Sequence, residues 1–298
     1  MNTDGSSEQA NPDGRGASGP AVALTVAGSD SGGGAGIQAD LSTFHAFGVF
    51  GTTAITAVTA QNTVGVTDIH VLPAAAVVAQ INAVLDDLPV AAAKTGMLAT
   101  AELTRAVARE LGGRVAALVV DPVFVSKHGD TLLADDAISA VREHLLPVAH
   151  VVTPNLPEAA RLVERASLDS ADDILGAARE LLTLGVEVVV VKGGHRVGPT
   201  SDDLVLSADG PRWLGHARIA ARHTHGTGCT LSAAIAAQLA LGVGVLDAIV
   251  GAKDFVAQGI ANGIDIGAGV GPVNSLGRGA RAAAEQVLSR VGRGRAAW

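Results

Sequence analysis

Several short segments of this 298-residue chain set glycine, carboxylate, amide and ammonium groups at spacings that could do chemistry. In HTHGTGCTLSAAIAAQLALG, His223 to Gly242, glycines flank Thr227 and lead straight into an alanine-rich run. A helix starting there aims the N–H groups of Gly226, Thr227, Gly228 and Cys229 at one spot at the positive end of its dipole, where an anion is held. An ordinary glycine-capped helix start has the same local sequence. The chain's one cysteine tilts the balance, because a helix N-terminus lowers a thiol pKa from about 8.5 and would make Cys229 a base or a polar contact to a substrate hydroxyl. The competing reading is an inert buried thiol.

A second glycine-rich turn, AGSDSGGGAGIQAD from Ala27 to Asp40, leaves a strand and enters a helix, and such a turn offers bare backbone N–H groups to a ligand. Gly34, Gly36 and Ala39 fit the dinucleotide fingerprint, but the second strand ends in Ala60, Gln61 and Asn62 where that site needs an acid for the ribose. An amide at Gln61 suits a neutral polar heterocycle, since it donates and accepts in one plane. In VVTPNLPEA, Asn155 and Glu158 stand one helical turn apart and could bind magnesium through water, or could simply cap the helix. Asp121 in VVDPVF and Lys192 in VVKGGH each end a strand. A carboxylate there lies where open α/β sheets bind ligands, and a lysine there can meet a nucleotide phosphate or be merely solvated. His195, His223 and His225 have no further cysteines or HExxH pattern beside them, so they read as loop histidines near phosphates rather than zinc ligands. GxxxxGK[ST], HRD and DFG are all missing, so a phosphate-transfer enzyme here needs another anion-binding geometry.

The elements that must position these residues alternate in type. Strand candidates at 21–27, 52–60, 90–96, 115–121, 149–153 and 186–194 are separated by helix candidates near 36–47, 74–87, 100–111, 134–145, 156–165 and 171–184, and two long helices follow near 227–241 and 244–262. That alternation predicts an α/β fold, a doubly wound, mostly parallel central sheet flanked by helices, as a single domain over 21–289. Residues 1–20 read as a disordered tail, without the basic and apolar regions of a secretory signal, and 290–298 as a mobile one. Nearly half the residues are apolar, yet aromatics are limited to five Phe and two Trp, so the core must be Ala, Val, Leu and Ile. A formal charge of −8, with acids outnumbering bases 29 to 21, argues against nucleic acid as a partner. No apolar run reaches the length of a membrane span. One cysteine excludes an intramolecular disulfide, which fits a cytoplasmic location.

Taken in order, ALTVAGSDSGGGAGIQADLSTF, ITAVTAQNTVGV, KTGML, VVDPVFVSKHGDTLL, VVTPNLPEA, VVVKGGH, HTHGTGCTLSAA and GPVNSL closely resemble the ribokinase-like superfamily, in particular hydroxymethylpyrimidine/phosphomethylpyrimidine kinases. The resemblance runs from about Ala23 to Leu276. It implies ATP as co-substrate, Mg²⁺ as cofactor, an aminopyrimidine and its phosphate as substrates, and a homodimer. It implies an anion hole made by Gly226, Thr227 and Gly228, with Cys229 where sugar kinases of the superfamily place an Asp base. Gln61, with Gly28, Ala35, Asp40, Met97 and Val123, is similar to the pyrimidine pocket. Lys192, Thr227, Asn155 and Asp121 resemble the nucleotide side, and Asn155 with Glu158 the magnesium–phosphate motif. Pyridoxal kinases of the superfamily usually lack the glutamine of AQNT and often read GAGC for GTGC, so the motifs here favour the pyrimidine. A pyrimidine-binding sensor without catalysis would have lost Cys229 or the GTG turn. Phe124 and His128 depart from the Met and Ser that the resemblance implies in a mobile flap.

Overall fold

The computed structural model describes residues 19–124, 135–195 and 198–275. The expected N-terminal tail, apart from its last two residues, lies outside that range, as do the expected C-terminal tail and most of the FVSKHGD flap with His128.

Within the described residues one sheet of nine strands is ordered β3-β2-β1-β4-β5-β6-β7-β8-β9. These are β1 Val22–Asp30, β2 Phe50–Gln61, β3 Val66–Val71, β4 Val90–Thr95, β5 Ala117–Val120, β6 Val151–Val152, β7 Val188–Val191, β8 Asp203–Ser207 and β9 Gly210–Leu214. From β2 to β7 every neighbour pair is parallel, and β3 at one edge and β8–β9 at the other are antiparallel. The central strands read as unbroken apolar runs because both faces are covered: Val188–Val191 is buried throughout. On one face lie α1 Gly36–Ala46, α7 Thr227–Ala240 and α8 Val245–Ala261, and on the other α2 Ala74–Leu85, α3 Ala101–Leu111, α4 Asp135–Ala140, α5 Leu156–Leu162 and α6 Ala171–Leu182, each side with its own hydrophobic core. The predicted doubly wound sheet is thus observed. Three strands were not predicted. β3 and β9 are exposed edge strands without a clean apolar period, and a Pro211 in β9 is tolerated only at such an edge. The helix expected over 134–145 is α4 continued by a π-turn, Val141–Leu145.

Helix α7 packs on β1, β4 and β5. Its small side chains allow this close approach: Ala233, Ala234, Ala236 and Ala237 are completely buried. Strand order reverses at β1, which is followed in sequence by β2 on one side and by β4 on the other. Such a switch point opens a crevice beyond the carboxyl ends of the strands. Asp30, Gln61, Met97, Asp121, Asn155 and Lys192 all stand at or just beyond a strand's carboxyl end, so the topology brings them to one edge. No helix among the described residues is long and apolar enough to cross a membrane.

Candidate active site

A cavity of about 760 Å³ opens at that edge. Its floor is the start of α7. Gly226, the residue before the first helical turn, has φ +78°, and a Cβ on it would stand 1.9 Å from the Gly34 carbonyl oxygen, so only glycine fits. The first bond that closes the helix is Thr230 N–H to Gly226 O, 2.9 Å, which leaves the preceding N–H groups outside the intrahelical ladder. Thr227 turns its hydroxyl back to the Thr224 carbonyl, 2.7 Å.

The other glycine turn behaves differently from expectation. Its N–H groups are not bare: the Asp30 carboxylate accepts from Gly32 (2.8 Å), Gly34 (3.1 Å) and Ala35 (2.9 Å). Burial would raise the pKa of Asp30, but His225 and these N–H groups hold it below the usual range. The turn is therefore a built-in carboxylate nest that packs against the GTGC loop.

Gln61, Gly28, Ala35, Met97 and Val123 line the cavity. Asp40 does not. It is completely buried beneath the cavity, and its carboxylate accepts from Thr25 Oγ1 (2.6 Å) and from Lys94 Nζ (2.9 and 3.0 Å). The resemblance places Asp40 around the pocket; in the structure its polar end is inside the core, and the group of this pair that lines the cavity is Lys94. Lys94 went unnoticed in the sequence, although a lysine in the apolar run VAAAKTG was its signal.

Cys229 lines the cavity. Burial pushes its thiol up to about 11, against the pull of the Lys94 charge. The shift runs opposite to the lowering expected of a helix N-terminus: desolvation of the thiolate raises it, and Asp40 and Asp121 add to the rise.

A second cluster holds Asp121, Lys192, Glu158 and Asn155. Lys192 Nζ lies 2.9 Å from Asp121 Oδ1 and 3.7 Å from Glu158 Oε2. Burial would lower the pKa of Lys192, yet the two carboxylates raise it, so the ammonium stays charged. Gly228 sits against this cluster, since a Cβ there would come 3.3 Å from Lys192 Nζ and 3.5 Å from Asp121 Oδ2. Asn155 and Glu158 form a full capping box on α5, with Oδ1 of Asn155 accepting from Glu158 N–H and Glu158 Oε2 accepting from Asn155 N–H. Capping and a place in the site coexist here. Burial pushes Glu158 up to about 7, with Asp121 adding to the rise and Lys192 opposing it.

This donor set fits a hydrated magnesium ion. Two carboxylates and one ammonium leave an excess negative charge in a buried place, which a divalent cation that keeps several of its waters would relieve. Among the described residues, no three His, Cys, Asp or Glu side chains gather as a self-sufficient metal site. On the far side Lys253 Nζ meets Asp203 Oδ2 at 2.6 Å and the Ser201 carbonyl at 2.9 Å, and all three residues line the cavity. Nothing in the local sequence singled them out.

The open doubly wound sheet, with a glycine-started helix and a carboxylate–lysine cluster at its carboxyl edge, matches ribokinase-like kinases of known structure, and that is the class of this chain. The phosphomethylpyrimidine kinase family profile matches residues 30–274. A hydroxymethylpyrimidine/phosphomethylpyrimidine kinase of Streptomyces coelicolor is 51% identical over 255 residues, 86% of this chain and 94% of that one. Two solved structures are also similar. A pyridoxal kinase of Bacillus subtilis, in an ADP complex, is 36% identical with TM-score 0.80 over 86% of this chain and 97% of that one. A phosphomethylpyrimidine kinase of Clostridium difficile is 38% identical with TM-score 0.70 over 79% of this chain and 97% of that one. The chain belongs to the phosphomethylpyrimidine kinase family and is a phosphotransferase.

Proposed function

We propose that the protein transfers the γ-phosphoryl group of ATP to the hydroxymethyl group of 4-amino-5-hydroxymethyl-2-methylpyrimidine, and then a second phosphoryl group to that monophosphate, in thiamin biosynthesis. The observation that carries this reading is the convergence of Gln61, Cys229 and the start of α7 on one cavity in a chain of this family. Gln61 holds the aminopyrimidine. Its hydroxymethyl oxygen then lies near Cys229 and attacks the γ-phosphorus, the bond from that phosphorus to the ADP oxygen breaks and ADP leaves, and the hydroxyl proton is lost to water. With its thiol pushed up to about 11, Cys229 is protonated at neutral pH. It therefore acts first as a hydrogen-bond partner that orients the hydroxyl, with the Lys94 charge beside it. A loose phosphoryl-transfer transition state demands positioning more than a strong base. The N–H groups of Gly226, Thr227, Gly228 and Cys229 stabilise charge on the transferred group. Lys192 and Thr227 flank the nucleotide phosphates, with Asp121 and Asn155 beside them. Magnesium, held through water by Glu158 and Asn155, would neutralise phosphate charge. One kinase domain over 21–289, a homodimeric state and a cytoplasmic location complete the reading, carried by resemblance alone.

Pyridoxal phosphorylation is the second reading, favoured by the likeness to the Bacillus subtilis pyridoxal kinase. Gln61 and GTGC weigh against it. ATP consumption by the purified protein, with hydroxymethylpyrimidine, its monophosphate and pyridoxal offered separately, decides between them. Turnover of both pyrimidines well above pyridoxal is expected. Turnover of pyridoxal alone would sink the proposal, and binding of pyrimidine without turnover would make the protein a sensor.

A further inference from the structure

We infer that Asp30 and His225 form a positioning pair that fixes which way round Gln61 presents its amide to the substrate; the inference rests on the pyrimidine reading of the pocket. The pair joins residues 195 positions apart, with His225 Nε2 3.0 Å from Asp30 Oδ2 and both side chains buried. His225 cannot drift. Its N–H donates to Gly271 O (3.1 Å), its carbonyl accepts from Val273 N–H (2.9 Å), and its ring sits where a Cβ on Gly34 would intrude to 2.4 Å.

The Gln61 side-chain amide spans two partners. Its Oε1 stands 3.1 Å from Thr59 Oγ1 and its Nε2 3.2 Å from the same His225 Nε2, two positions that a half-turn of the amide exchanges. Counting protons settles its orientation. Asp30 holds three N–H bonds as an ionised carboxylate and has no proton to give, so His225 Nε2 must carry one. Thr59 has a single hydroxyl proton, and the Ser29 carbonyl, 3.0 Å away, can only accept it. Thr59 Oγ1 must then accept from the amide. With the amide oxygen on the Thr59 side, Thr59 needs two protons and two donors collide at His225. With the oxygen toward His225 and the nitrogen toward Thr59, the amide oxygen shares the single Nε2 proton with Asp30 in a three-centre bond, and no two donors face each other. Two acceptor-only groups, Ser29 O and the Asp30 carboxylate, thus demand the same orientation independently.

An aminopyrimidine offers an amino donor next to a ring-nitrogen acceptor. An amide edge complements that pair in one orientation and opposes it in the other, donor facing donor. Fixing the amide beforehand means the substrate need not order it, so Asp30 and His225 act on substrate affinity through Gln61.

The test is steady-state kinetics on the full chain with His225→Leu, His225→Gln and Gln61→Ala, alone and combined. His225→Leu should raise the hydroxymethylpyrimidine KM about tenfold, the loss of one buried hydrogen bond, and leave the ATP KM unchanged. His225→Gln keeps a nitrogen donor toward Asp30 and should stay near the parent. In the Gln61→Ala background the His225→Leu effect should vanish. An equal rise in both backgrounds would overturn the inference. Long-range ¹H–¹⁵N correlation on the unmutated protein tests it without any variant: a proton on Nε2 supports it, and a ring protonated on Nδ1 alone refutes it. If Gln61→Ala leaves the pyrimidine KM unchanged, the substrate reading fails, and the ring's protonation still decides the orientation of the amide.

Discussion

Replacing Glu158 by glutamine should stabilise the protein at alkaline pH and, with magnesium held as proposed, raise the metal concentration that activity needs. Glu158 is buried, and its carboxyl is raised from 4.5 to about 7. That rise makes the ionised form about 3 kcal/mol costlier in the folded protein than in the unfolded chain. The sign follows from the direction. A raised carboxyl pKa contributes nothing below about pH 4.5, where both states are protonated, and it removes stability progressively as pH rises through about 7. Glutamine keeps the capping box, because its carbonyl can still accept from Asn155 N–H, and it cannot ionise. Thermal unfolding of parent and Glu158→Gln, without nucleotide or metal, should therefore coincide near pH 4.5 and diverge upward, with the variant melting about 5–10 °C higher at pH 8. Magnesium titrations of activity should show the reverse order, the variant needing more metal, which is the trade expected where a strained charge serves a ligand. A melting difference that is flat with pH, or a variant less stable at pH 8, would refute the reasoning.

Three further outcomes are expected. Lys94→Met should cost about 3–5 kcal/mol in urea unfolding because it strands the fully buried Asp40, and adding Asp40→Asn should recover much of the loss; a single variant as stable as the parent would show that the pair compensates nothing. Iodoacetamide inactivation through Cys229 should speed up about tenfold per pH unit with no plateau before pH 10, whereas a plateau near pH 7 would restore a dipole-lowered thiol. Gly226→Ala should lower kcat by about 100-fold or more, because its Cβ meets backbone that cannot yield, and retained activity would dissociate the GTG turn from catalysis.

Much of this site was legible before any coordinates. The glycines around Thr227 and the amide at Gln61 are local signals: a helix start and a strand end are set within a few residues, and a switch point in a doubly wound sheet collects strand ends. The edge strands β3 and β9 escaped because their residues face solvent on much of both sides and carry no strict alternation.

The sequence by itself determined the layered fold, the glycine-started α7 and the family. Only the tertiary structure decided which way the polar groups point and what they are charged against. Asp40, on a helix that could have turned its carboxylate toward the crevice, meets Lys94 from 54 positions away inside the core. Asp30 spends its carboxylate on the neighbouring turn and on His225, and Cys229 has a raised rather than a lowered pKa. The reason is common to all three. Backbone conformation is set by near neighbours, whereas desolvation and ion pairing depend on what the folded chain brings within a few ångströms from far along the sequence.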